Sequence, residues 1–597
     1  MMPQNFRNEP PRRRLTFAAS AISLLLLCAA LAGMTRVAAQ ELKPARTAGA
    51  AAPAAAAASA DHSPNWTSFF GNDQAQSYSP LAQITRENVK QLAPAWTFPL
   101  ALHGLESAPL VVDGTLYLEA PTNDVYAIDA ATGKQLWKYA YRKPTANAAG
   151  AEGADREGGK GRGLATGFGM IFMGTNDNHV VAIDMKTGSE AWNVEVENRK
   201  KCGCGINSAP ILVKDKVVAG VTGGEVAHRG YLNAFDAKTG KLLWRFYPVP
   251  APGEPGSETW TGDAWRLGGG STWYTGSYDP DLNLIYWGTS NPSSDFYGDD
   301  RMGANLYTDS LIALDADTGK LKWYFQETPH DLWDYDSNPE PVLFDVTQNG
   351  ATQKLVIHSS KNGFAYLYNR ASGKLLRAFP YADTINWTKG LDKDGQPLKP
   401  VMVPAKGKAD LLFCPGTPGG RNRNHSAYSP RTGLWYTTSL EICSHLNVDE
   451  KKYSEVMEGD GMFGGTHMDE ASKTSPPHIA AFDPLTGKKQ WTFPTTWGNA
   501  SSLLATAGDL IFAGDVEGKA FALDARTGEK IWSYDTGAVV AGAPISYAIN
   551  GRQYVAIASG GGSILDPRIT LFYPESKGKI PETAPSRLTV FALPDGK

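Results

Sequence analysis

Residues 330–340 read HDLWDYDSNPE and set three aspartates, Asp331, Asp334 and Asp336, within six positions of a chain whose charge is otherwise thinly spread. In an extended segment alternate side chains share a face, which puts Asp334 and Asp336 together and Trp333 and Tyr335 on the other side. Two like charges on one face repel unless a cation sits between them. A bare DxD in a loop also describes a solvated acidic turn, so its meaning depends on what the rest of the chain brings to it. With a metal ion in place the chemistry is that of a hard cation. Carboxylate and amide oxygens hold it, it polarises a carbonyl as a Lewis acid, and one carboxylate is free to act as a general base.

A repeated unit must position that segment. AIDAATGKQLW ends at Trp137, AIDMKTGSEAW at Trp192, AFDAKTGKLLW at Trp244, ALDADTGKLKW at Trp323, AFDPLTGKKQW at Trp491 and ALDARTGEKIW at Trp532; LYNRASGKLLR, ending at Arg377, is a variant copy. Each copy reads as strand, tight turn and strand. The turn glycine supplies a positive φ, and the preceding Asp can bond the turn backbone. The Trp at a fixed offset packs between neighbouring units, a structural role. The glycines recur mostly at the spacing of one four-stranded propeller blade, with insertions in the larger gaps. VFALPDG near the C-terminus begins the motif without a Trp, and PAWTFPL, with Trp96, supplies one. The pattern predicts an all-β chain: an eight-bladed β-propeller with tryptophan-docking motifs, closed by its last strand joining its first, over residues 63–597. Ligands are then expected among loops on one face.

Ahead of the repeats, RRRLTFAASAISLLLLCAALAGMTRVAAQ has a basic start, an apolar stretch and small residues before Gln40, the layout of a signal peptide over 1–39. Residues 40–62 form an Ala-rich linker without core-forming side chains, expected to be disordered. No later segment has the length of unbroken apolar residues a membrane span needs. Location in the periplasm follows as an expectation. A net charge of −4 and no dense Lys/Arg run argue against a nucleic-acid partner. Once Cys28 leaves with the signal, Cys202, Cys204, Cys414 and Cys443 remain, and an exported chain can oxidise them in any of three pairings. The chain has no CxxCH, hence no covalently attached c-type haem, and GRGLATG lacks the strand–helix setting of a dinucleotide loop.

This Trp-motif propeller resembles the pyrroloquinoline quinone (PQQ)-dependent alcohol dehydrogenases, the quinoprotein family that includes methanol dehydrogenase, from about Trp66 to the C-terminus. The resemblance implies alcohol oxidation by hydride transfer to metal-activated PQQ. HDLWD matches the family segment in which Asp334 is general base and metal ligand, GGEVAHRGY supplies Glu225 and WGTSNPSS supplies Asn291 as further ligands. For PQQ it implies Glu106 in LESAPLVV, Arg162 in GKGRGLATG, Asn207 after KKCGCGI, Thr222 in VAGVTGGE, Trp273 as the floor under the ring, Lys361 in SSKNGFAYLYNR and Asn422 in GGRNRNHSAYSP. Asp336, two positions after Asp334, resembles the lanthanide-dependent branch, and added negative oxygen ligation favours a trivalent ion. The implied ion is thus a lanthanide(III) or Ca2+.

The family-like spacing of Cys414 and Cys443 implies that they pair, leaving Cys202 and Cys204 to each other. The adjacent cysteines of calcium-type methanol dehydrogenase are missing, since EGADREGGKGRG has none. The implied partners are a small alcohol and a separate periplasmic cytochrome c or quinone-linked acceptor, with oligomeric state open, a homodimer included. An aldose dehydrogenase of the same superfamily and a non-enzymatic envelope scaffold are the alternatives. Residues 455–470, EVMEGDGMFGGTHMDE, are expected to help set the substrate.

Overall fold

In the first repeat the Asp129 carboxylate accepts from Ala131 N at 3.1 Å, Thr132 N at 2.8 Å and Thr132 Oγ1 at 2.8 Å. These bonds hold the turn in which Gly133 sits at φ +76°, a conformation that costs other residues more. Asp184, Asp236, Asp315 and Asp524 accept the equivalent Thr amide in their own copies. In the variant copy Asn369 does so, accepting from Ser372 N at 3.1 Å and Ser372 Oγ at 3.0 Å. One side-chain rule therefore builds these motif hairpins.

This computed structural model describes residues 65–100, 103–141, 161–450, 455–499, 501–561, 566–581 and 584–594. The signal peptide expected over 1–39 and the linker expected over 40–62 lie outside them. Among the described residues, eight antiparallel sheets share a four-stranded plan, consistent with eight blades, and Tyr78–Ser79 adds a parallel fifth strand to one. Inner strands such as Leu284–Gly288 and Leu510–Gly514 are buried along their whole length, while the outer strand Lys488–Pro494 alternates in exposure around buried Trp491. That contrast is expected of sheets stacked face to face with only their outer edges wet.

The motif tryptophans join each sheet to the next. A Cβ on Gly133 would fall 2.7 Å from the Trp96 ring, and on Gly188, Gly240, Gly319, Gly373 and Gly528 it would meet Trp137, Trp192, Trp244, Trp323 and Trp491 at 2.6–2.8 Å. Each indole also donates across the joint: Trp96 Nε1 to Ala130 O at 3.2 Å, Trp192 Nε1 to Ala237 O at 3.0 Å, Trp491 Nε1 to Ala525 O at 3.1 Å and Trp532 Nε1 to Leu92 O at 3.1 Å. In the variant copy Arg377 Nε donates to Leu485 O at 2.6 Å, and Phe379 takes the place against Gly487.

The ring closes through Ala93–Pro99, which pairs antiparallel with Arg587–Ala592 and sets Trp96 opposite Val590. Between the paired strands Leu434–Ser439 and His478–Asp483 an insertion carries Ile442–Val448 and Gly465–Ala471, which form a separate sheet with Leu411–Phe413. Among the described residues no helix is long and apolar enough to cross a membrane.

Candidate active site

Asp331 shapes the loop that carries the other two aspartates. Its Oδ1 accepts from Trp333 N at 3.0 Å and its Oδ2 from Tyr335 N at 2.7 Å. Trp333 and Tyr335 turn into the protein, stacked with centroids 5.9 Å apart and both packed on Trp387. Between them Asp334 takes φ +63°, a left-handed value that Asp tolerates better than most residues. Asp334 and Asp336 therefore emerge on the side opposite the aromatics. Lys361 Nζ lies between them, 3.0 Å from Asp334 Oδ1 and 2.7 Å from Asp336 Oδ2. The cation that the paired charges demand is present as an ammonium. Burial works against its charge, but the two carboxylates outweigh that and hold the Lys361 pKa above its ordinary value.

Asp336 reaches further, its Oδ1 accepting from Asn291 N at 3.2 Å and its Oδ2 from Trp273 Nε1 at 3.2 Å. Asn291 donates through Nδ2 to Asp295 Oδ1 at 2.7 Å. Its own Oδ1 is buried with no hydrogen-bond partner among the described residues. A Cβ on Gly224 would lie 2.6 Å from that oxygen, so the loop bearing Glu225 needs glycine to come so close. Burial pushes the Asp334 carboxyl well up from the carboxylate range; Lys361 opposes this, and Asp336 and Glu225 add to it. Asp295 is pushed up by burial and then by Asp334, Glu225 and Asp336. Clustered buried carboxylates, with an amide oxygen left unmet beside them, form an all-oxygen donor set suited to a hard cation.

Next to this acidic group lies a cationic one. Glu106 Oε2 sits 3.1 Å from Arg162 Nε and 3.2 Å from Arg423 Nε. Arg162 also donates to Asn207 Oδ1 at 2.9 Å, and its guanidinium lies 5.4 Å from the centre of the Trp273 ring. Glu106, Arg162, Asn207 and Trp273 are thus brought together, and Trp273 links them to Asp336. Thr222 Oγ1 accepts from Gly205 N at 2.9 Å. Asn422 donates to Pro418 O at 3.2 Å and accepts from Arg423 N at 3.0 Å. The arginine loop is fixed from behind by Glu119, whose Oε2 accepts from Gly163 N at 3.0 Å. Burial pushes that carboxyl up to about 8.

Cys202 and Cys204 form a disulfide, as do Cys414 and Cys443. The first is buried with Val221 and Tyr231, next to the Thr222–Glu225 loop. The insertion crosses the same loop: Met462 N donates to Glu225 O at 2.9 Å and Ala227 N to Asp460 O at 2.8 Å, and Phe296 N donates to Phe463 O at 2.9 Å. Sequence reasoning missed Asp295 and Arg423. Asp295 lies four residues beyond Asn291 and Arg423 directly follows Asn422, so their positions beside residues already singled out were the only signal.

A family model described as the glucose/ethanol/alcohol dehydrogenase β-propeller domain, of the PQQ type, matches residues 66–380. This chain belongs to the PQQ-dependent alcohol dehydrogenase family. A second model, described as outer membrane protein assembly factor BamB, matches residues 477–566; that stretch holds the repeats of Trp491 and Trp532. Among relatives of this PQQ-dependent alcohol dehydrogenase, the quinoprotein alcohol dehydrogenase PedH of Pseudomonas putida is 35% identical over 519 residues, 82% of this chain and 85% of that protein. The lanthanide-dependent methanol dehydrogenase of Methylacidiphilum fumariolicum is 36% identical over 514 residues, 81% of this chain and 83% of that protein. A solved europium-containing methanol dehydrogenase superposes with a TM-score of 0.81 at 33% identity, covering 89% of this chain and 98% of that one.

Proposed function

We propose that this PQQ-dependent alcohol dehydrogenase works in the periplasm, oxidising a small alcohol to the aldehyde with Asp334 as general base and passing electrons to a separate cytochrome c or quinone-linked acceptor. Glu225, Asn291, Asp334 and Asp336 would hold the ion. Trp273 would form the floor for PQQ, with Glu106, Arg162, Asn207, Thr222, Lys361 and Asn422 around it. When bound there, PQQ supplies a two-electron acceptor whose carbonyl carbon is made electrophilic by the ion. Asp334 takes the hydroxyl proton as general base. Lys361 keeps both carboxylates aimed at one point. Met462 of the 455–470 region is bonded to Glu225, and that region would shape the approach of substrate.

The observation that carries this reading is the convergence of Asp334 and Asp336 on one cation beside the unmet Asn291 oxygen. The additional carboxylate of Asp336 favours a lanthanide(III) over Ca2+. The test is dye reduction by a primary alcohol after loading with PQQ and either Ca2+ or a light lanthanide. Asp334→Asn is expected to lower kcat about 10²–10⁴-fold. Asp336→Ala should erase the preference for the lanthanide. No alcohol-dependent reduction under either loading, or an Asp334→Asn variant at full rate, overturns the proposal.

A further inference from the structure

Away from the site described above, Asp383, Glu441 and His478 each bring a ligand-capable atom to within 4.8 Å of the others. Asp383 follows the strand Leu375–Pro380, Glu441 precedes Ile442–Val448, and His478 opens His478–Asp483. Three separate sheets therefore meet at this cluster. Glu441 and His478 are buried at 3% and 1% exposure, while the Asp383 side chain, at 39%, leaves a way in from solvent.

The histidine points to a ligand. His478 Nδ1 lies 3.0 Å from Pro476 O. A carbonyl can only accept, so Nδ1 carries a proton and, in the neutral ring, Nε2 presents its lone pair. Nε2 is buried, has no hydrogen-bond partner among the described residues, and faces Asp383 Oδ2 at 4.0 Å. An imidazole fixed by an Nδ1–H bond to a backbone carbonyl, with Nε2 free, is oriented as metal-binding histidines are. The carboxylates are prepared as well. Glu441 Oε1 accepts from Asp383 N at 2.8 Å and Ser439 Oγ at 2.6 Å, and its Oε2 from Thr384 N at 2.9 Å. Oε2 thus retains a lone pair. Lys489 occupies Asp383 Oδ1. Oδ2, toward the histidine, accepts from Ser475 Oγ at 3.1 Å, which places a hydroxyl oxygen beside the cluster.

We propose that Asp383, Glu441 and His478 form a second metal site, taking one transition-metal dication of the Zn2+ class. One imidazole nitrogen and two carboxylate oxygens suit a four-coordinate borderline ion with a further position for Ser475 or water. They are too few oxygens for Ca2+, which takes six to eight. The ion joins the segment after Leu375–Pro380 to Glu441, two residues before Cys443 and its disulfide, and to the strand that His478 opens.

The test uses holoenzyme, with its active-site ion and PQQ in place, titrated with ZnCl2 and followed by calorimetry and by metal content after desalting. One additional Zn2+ per chain is expected, with a saturable rise in melting midpoint that CaCl2 does not reproduce. His478→Gln and Asp383→Asn should each weaken Zn2+ binding at least tenfold while alcohol-dependent dye reduction is retained. Asp383 is partly exposed, so its variant keeps the test open should His478→Gln not fold. Absence of a further stoichiometric Zn2+, or undiminished binding in Asp383→Asn, overturns the site.

Discussion

Removing the Asp331 carboxylate while keeping Asp334 separates presentation from chemistry. Asp331→Ala frees the buried amides of Trp333 and Tyr335, each at about 1–3 kcal/mol. We expect a lower melting midpoint together with lower kcat, because Asp334 depends on that turn for its left-handed backbone. Asp334→Asn should lose far more rate for a given change in melting, and measuring both quantities on both variants distinguishes the roles. Glu119 gives a pH prediction. Its carboxyl ionises near 4.5 in the unfolded chain and about 8 in the folded protein. Between those values the unfolded chain releases a proton that the folded chain keeps, so stability falls as pH rises through the window and levels off above it. Glu119→Gln loses an acceptor at every pH but should flatten that slope in urea midpoints taken from about pH 5 to 8.5. At this scale the DxD pair and its need for a cation were legible in eleven residues of sequence. Asp331 as the anchor of the turn was not, since nothing in the spacing distinguishes it from its neighbours. Nor was the Glu106–Arg423 contact, whose partners are brought together only by the ring.

The repeat shows how an element tolerates a broken rule. Where the motif Trp is replaced by Arg377, the guanidinium supplies the donor to the next sheet and Phe379 supplies the ring. Two residues divide what one indole does elsewhere. Trp137→Ala removes both ring and donor and should cost about 3 kcal/mol. Arg377→Ala removes the donor alone, about 1 kcal/mol, so its urea midpoint should shift less than half as far. The strands, their turns and the closing pair could be read from the motif because every copy repeats the same local chemistry. The small sheet built from Leu411–Phe413, Ile442–Val448 and Gly465–Ala471 could not, since its strands belong to no repeat and owe their pairing to the insertion around them.

Across the whole molecule, the proposed ion donors come from loops of different sheets: Glu225 follows Lys216–Gly220, Asn291 follows Leu284–Gly288, and Asp334 and Asp336 precede Val342–Gln348. An ion bound to all of them holds the folded ring and has no comparable site in the unfolded chain. Loading at a hundredfold excess over Kd should therefore add about 2.7 kcal/mol, read as a melting midpoint that rises with the ion and returns on chelation. The closing pair has a further consequence during synthesis. Ala93–Pro99 emerges from the ribosome long before its partner Arg587–Ala592. Until that partner is made the nascent chain carries an unpaired edge, the kind of surface that recruits other strands. A chaperone shielding that edge would act until the latch arrives, and a message cut short before it would yield a product marked for proteolysis.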